Sequence, residues 1–253
     1  QRFLTRRLIS SLIAVLLATF IVFALSRMAG DPRYLYLVGG YTTQEVWDAW
    51  GEKMGLDKPL PVQYFMWLGK ALQLEFGESL TTSEDAFHRI RKAVPATLQL
   101  AAGSWLFAVL IGIPLGVLSA VKRGTVWDFA GRTFALFGQA LPPFWVGLVL
   151  IMIFSVQLGW LPTSQRGGIE HYVLPSMTLG WLAATGLLRL VRSGMLEVLD
   201  SEYVKFARAK GVSSRTVIWK HAFRNALVVP LTVAALIMVD FLTGTVVTET
   251  VFA

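Results

Sequence analysis

From Leu8 to Ser26 the chain carries nineteen consecutive residues without a charge. About 20 helical residues, rising about 1.5 Å each, cross the ~30 Å hydrocarbon core of a bilayer, where every backbone polar group must be satisfied within its own segment. Apolar stretches of similar length recur at about 96–120, 133–158, 173–191 and 226–247. The pattern predicts an all-α, polytopic membrane protein with five spans. Only 15% of the residues are charged, against about 25% in an ordinary soluble domain. The alternating ten-residue strands of a membrane barrel are not visible.

The charges orient these spans. Arg2, Arg6 and Arg7 precede the first apolar run, which predicts a cytoplasmic N-terminus. The run exceeds the apolar core of about 7–15 residues usual for a signal peptide, so it reads as an uncleaved anchor. With five spans, the three cytoplasmic regions hold fourteen Lys/Arg and four Asp/Glu, and the outer regions nine and eleven. A shift by one span inverts this bias. The net charge of +7 is therefore a membrane-orientation signal rather than a nucleic-acid footprint. Absence of Cys excludes disulfides and thiolate metal sites.

Three regions follow: 1–26, a cytoplasmic stub and first span; 27–94, an extracytoplasmic excursion with short helices; and 95–253, a core of four spans that includes a cytoplasmic loop at 193–225. In the excursion, Thr42 and Glu45 have capping-box spacing before Val46, Trp47, Trp50 and Met54. Gly55 stops that helix. A second short helix after Pro59 and Pro61 is expected to place Phe65, Leu68 and Leu72 on one face. Trp47, Trp50, Tyr64 and Trp67 suit either the lipid headgroup level or a self-packed cap. Pro142-Pro143 should break or kink the third span. Gly112 to Gly116 fits close helix packing better than phosphate binding.

Between the fourth and fifth spans lies a basic amphipathic segment too charged to enter the bilayer. Asp200 and Ser201 are N-cap candidates, and Glu202 and Arg208 complement the dipole of a short helix. Gly211 suits the left-handed residue beyond its end. Ser213 or Ser214 can cap a second helix at about 215–225. Tyr203, Phe206 and Ala207 share a face, and Lys205, Ala209 and Lys210 complete the helix. The physical readings are lipid attraction or docking of a soluble partner, with docking favoured by the glycine break and the small and aromatic face.

The run Glu202-Tyr203-Val204-Lys205-Phe206-Ala207-Arg208-Ala209-Lys210-Gly211-Val212, with His221-Ala222-Phe223-Arg224-Asn225-Ala226-Leu227, resembles the EAA loop of ATP-binding cassette importer permeases. It takes the form used by the dipeptide, oligopeptide and nickel permeases. His221, Phe223 and Arg224 stand where sugar-type members carry Ile-x-Leu-Pro. Gly30-Asp31-Pro32, Met54 to Tyr64, Phe76 to Leu80, Pro95 to Leu100 and Gly159-Trp160-Leu161-Pro162 extend the resemblance over nearly the whole chain. The first of two paired permease subunits, with the type I importer fold, is the form it resembles. Such members continue with a sixth span, which is expected beyond Ala253.

The resemblance implies a non-catalytic subunit that imports peptides or peptide-like solutes across a bacterial or archaeal inner membrane. No Lys precedes Ser or Thr, so no P-loop can exist, and ATP and Mg belong to partner subunits. Implied partners are two ATPases, one of which holds residues 202–211 in a groove, a second permease, an extracytoplasmic substrate-binding protein and membrane lipid, with no nucleic acid. Asp240, inside the fifth span, is a pathway candidate because an ionisable residue there is costly. Gln139 and Thr243 are further candidates, with Thr245 and Thr248 nearby. The His residues lack ligand spacing, and no metal site is expected. The competing classes are a secondary transporter or channel, which would rest on Asp240 alone, and a membrane-embedded enzyme, for which no nucleophile motif is present.

Overall fold

The computed structural model describes residues 2–36, 43–79, 84–163, 167–243 and 252. These residues are helical apart from turns, connections and one isolated bridge between Glu78 and Asp85. The chain divides into two compact units, Gln1–Lys92 and Ala93–Ala253.

In the first unit, α1 (Arg2–Met28) is one uninterrupted helix. Short helices follow: α2 (Arg33–Tyr36), α3 (Gln44–Met54) and α4 (Leu60–Leu72). Thr42 of the expected capping box lies outside the described residues. Thr43 occupies the N-cap position without a side-chain bond, and Gly55 ends α3 at φ +66°. Phe65, Leu68 and Leu72 lie at helical spacing along α4, on one face as expected. Phe65 and Leu72 are exposed, and Tyr64 is the residue of α4 that is buried. Its ring meets Phe20, Phe23 and Trp67, and its hydroxyl reaches Thr19 Oγ1 at 2.8 Å and the Leu16 carbonyl at 3.1 Å. A tyrosine buried against a helix needs a partner for its hydroxyl, and α1 supplies two. Trp47 packs elsewhere, on Tyr34 and under the Arg33 guanidinium.

α5 (Ala86–Val121), of which residues 93–121 belong to the second unit, starts ten residues before the expected span and runs through Pro95 and Pro114. The third apolar run is not one helix. α6 (Val126–Ala140) and α7 (Pro143–Gln157) meet at a 108° bend. Leu141 and Pro142 are both extended there, because a residue before proline is pushed out of the helical region and the prolines lack N–H donors. α7 widens into a π-helix from Ile151. α8 (Glu170–Leu199) extends eight residues past the expected end of the fourth span. It is followed by α9 (Glu202–Ala209), α10 (Ser214–Ala226, π-helical over Val217–Phe223) and α11 (Val228–Thr243). A 52° bend separates α10 from α11. Among the described residues, three helices, α1, α5 and α8, are long and apolar enough to cross a membrane, and the two bent pairs raise the number to five if each forms one span.

α8 is the hub of this unit. Missing side chains bring its neighbours close: a Cβ on Gly112 of α5 would stand 2.6 Å from the Ala184 carbonyl, and one on Gly180 would stand 2.6 Å from the Ser104 carbonyl. α6 lies on the same core through buried Gly131, Ala135 and Gly138, spaced at helical intervals. Small residues that let backbones approach are the packing device of membrane helices, where apolar burial gives little drive.

Candidate functional site

The basic segment folds as a hairpin fixed from beneath. Val204 is the one fully buried residue of α9, and Val217 and Ala222 are its buried counterparts on α10. Ala222 and Ala226 join a core with Val117 and Ala120 of α5 and Val191, Met195 and Leu199 of α8. Tyr203 ties the two arms: its hydroxyl accepts from Asn225 Nδ2 at 3.1 Å and donates to the His221 carbonyl at 3.4 Å. Ser201 holds the N-cap position, but its hydroxyl donates back to the Val198 carbonyl. Asp200 accepts from Arg123 at 3.0 Å, an exposed link from the end of α8 to the turn after α5.

The turn of the hairpin follows from Gly211, at φ +78°, with its N–H bonded to the Arg208 carbonyl and that of Val212 to the Ala207 carbonyl. Ser213 Oγ then accepts from the Thr216 N–H and starts α10. What remains on the surface is chemically distinct. Phe206 is 66% exposed, Lys205, Arg208, Ala209 and Lys210 are exposed, and Ala207 is half-buried. Glu202 accepts from Lys205 Nζ at 2.9 Å, which raises the pKa of that ammonium. α9 therefore presents an exposed aromatic and three exposed cations while being anchored by a single buried valine. The sequence did not reveal a groove on α10, lined by Arg215, Thr216, Trp219 and Lys220. Trp219 stacks edge-on against Phe223 at 5.1 Å, four residues on, a pairing visible in the spacing.

A buried charge cluster beside the hairpin also escaped notice. Asp128, in the first turn of α6, is 2% exposed. Arg192 donates to it twice, Nε at 2.7 Å and Nη2 at 3.1 Å, while Ser119 Oγ at 2.8 Å and the Gly124 N–H at 3.0 Å fill the remaining acceptor positions. Arg132 Nε stands 3.6 Å away. The cluster fastens the α5–α6 turn to α8. The partners are 64 residues apart, so spacing could not reveal them.

The pathway candidates do not form one group. Asp240 and Thr243 are exposed on α11, where Thr243 Oγ1 donates to the Asp240 carbonyl at 3.0 Å. Thr245 and Thr248 lie outside the described residues. Gln139 is on α6, where its side-chain oxygen accepts from Arg189 of α8.

Residues 112–253 match the model of the inner membrane component of binding-protein-dependent transport systems, and residues 1–101 match the N-terminal model of such membrane components. The chain belongs to this permease family. The di/tripeptide transport system permease DppB of Pseudomonas aeruginosa is 38% identical, across 93% of this chain and 79% of that protein. The oligopeptide transport system permease AppB of Bacillus subtilis is 38% identical across 99% and 83%. The glutathione transport system permease GsiC of Salmonella choleraesuis is 36% identical across 99% and 82%. The family match covers both units of the permease, and the α9–α10 hairpin lies wholly inside its larger part.

Proposed function

We propose that this permease is one half of the membrane pathway of an ATP-driven importer for peptides or peptide-like solutes, and that its α9–α10 hairpin is where an ATPase subunit grips it. The carrying observation is the division of α9 into a buried underside, Val204, and an exposed face of Phe206, Lys205, Arg208 and Lys210. The names of the relatives, which span peptides and glutathione, support the solute class. On this reading ATP and Mg are bound by the partner ATPases, and the permease itself catalyses nothing. The N-terminus and the hairpin face the cytoplasm, in line with fourteen Lys/Arg on that side. Residues 27–94 face outward and meet a substrate-binding protein. Residues 95–253 form the core that a second permease completes.

Coupling then follows from contact. ATPase closure displaces α9, and the packed core of Ala222, Ala226, Met195 and Val117 transmits that displacement to α8 and α5 as a rigid-body movement. The test is ATP hydrolysis by the purified chain alone and in the full complex. The expected result is no hydrolysis alone, and hydrolysis by the complex that rises when peptide-loaded binding protein is added. Hydrolysis by the chain alone, or a complex that ignores the loaded binding protein, would refute the reading.

A further inference from the structure

We infer that the cleft between α6 and α8 is a carboxylate-binding subsite for the transported solute. Its volume is about 570 Å³, and its polar lining is Arg132, Gln139, Arg189, Arg192 and Ser193. Clefts of about 300–1,000 Å³ suit small-molecule ligands.

The charge balance is what singles it out. Three guanidiniums line the cleft, and among the described residues Asp128 is the one carboxylate that pairs with any of them, which leaves two positive charges in excess. Arg192 is spent on Asp128 through two nitrogens. Arg132 is half-exposed and 3.6 Å from the same carboxylate. Arg189 donates through Nη1 to a neutral acceptor, the Gln139 side-chain oxygen. That bond holds the guanidinium plane while leaving most of its five N–H donors available. Every cation in the cleft is arginine, whose planar fork matches a carboxylate with two parallel bonds, as lysine does not. Buried Ala135 and Leu188 and half-buried Leu190 supply an apolar wall, and exposed Leu136 stands at the lip. The occupant is a free carboxylate, the group shared by every unmodified peptide. This assignment rests on the peptide-import reading. Gln139 is on it a positioning residue for Arg189.

The test uses the full transporter, with its ATPases and binding protein, in nanodiscs of phosphatidylcholine. A photo-reactive residue at the lip of the cleft, Leu136→p-benzoylphenylalanine, reports occupancy by labelled trialanine or its C-terminal amide. The expected result is capture of the acid over the amide by at least about tenfold, the worth of one charge-assisted bond. Arg189→Gln should collapse that ratio, and Arg189→Lys should restore it only in part. N-acetylalanine should compete and N-acetylalaninamide should not, a comparison that needs no change at Arg189 and stands if Arg189→Gln fails to assemble. Equal capture of acid and amide, or no competition by N-acetylalanine, would overturn the assignment. So would nanodiscs containing phosphatidylglycerol in which the lipid cross-links and excludes trialanine, since the occupant would then be a lipid phosphate. Trialanine uptake is measured alongside. No uptake with intact competition by N-acetylalanine refutes peptide import and keeps the carboxylate site, whereas uptake without competition does the reverse.

Discussion

Gly211 and Asp128 carry different kinds of constraint. At Gly211 the space around an added Cβ is open, so a side chain meets no clash and the constraint lies wholly in φ +78°. An L-residue there costs about 1–2 kcal/mol, and a β-branched one resists more strongly. Gly211→Ala is expected to keep most coupled transport, and Gly211→Val to lose it while membrane insertion persists; normal uptake by the valine variant would count against the hairpin geometry. Asp128 is constrained by its partners. Removing one member of a buried pair leaves an uncompensated charge, which costs about 3–5 kcal/mol. Thermal unfolding of the purified complex should show Asp128→Ala strongly destabilised. The Asp128→Leu/Arg192→Met double variant should recover most of the loss, because no charge is then stranded. A double variant as unstable as Asp128→Ala would mean that the cluster acts through something other than charge pairing.

Among the elements, local chemistry was readable and distant pairing was not. Gly55 and Gly211 end α3 and α9 where the sequence placed them, because the need for positive φ is written into a single residue. Ser213 starts α10 for the same local reason. Pro142-Pro143 marked the site of a break, but not that it is a corner of 108° or that α6 already begins at Val126. Apolar runs locate a span by its charge-free interior, and α5 and α8 are helical beyond those interiors because backbone hydrogen bonding continues where charge resumes. On α4 the residue buried on α1 is Tyr64, whose polar tip finds partners there, and the apolar spacing of Phe65, Leu68 and Leu72 did not point to it. For α9, the chain has no cysteine, so Phe206→Cys introduces a unique thiol. It is expected to form a disulfide with a cysteine placed in the groove of a partner ATPase, and Val204→Cys is not. Cross-linking from the buried position, or from neither, would show that the exposed face is not the contact.

For the whole molecule, the work proposed here divides between two compact units, Gln1–Lys92 and Ala93–Ala253. Unit-level fold class follows from hydropathy alone, but the arrangement of charges inside the second unit does not, since Asp128, Arg132, Arg189 and Arg192 come together only when α6 lies along α8. Orientation is checked with the same cysteine-free background. Asp57→Cys and Ser214→Cys are both at exposed positions. In intact cells a membrane-impermeant maleimide should label Asp57→Cys and not Ser214→Cys, and the reverse in inside-out vesicles. Labelling of both from one side would remove the proposed topology.

α8 is a single helix of 30 residues that carries the glycine contacts to α5, two of the three arginines of the cleft and, at its end, the hairpin. As a rod it is about 45 Å long, so a tilt of only about 5° about its middle swings its two ends by about 2 Å in opposite directions. On the proposed coupling it would act as a lever with its fulcrum at the tight packing of Gly180 and Ala184, near its middle, so that a small stroke at the hairpin becomes a comparable and opposite stroke beyond the fulcrum.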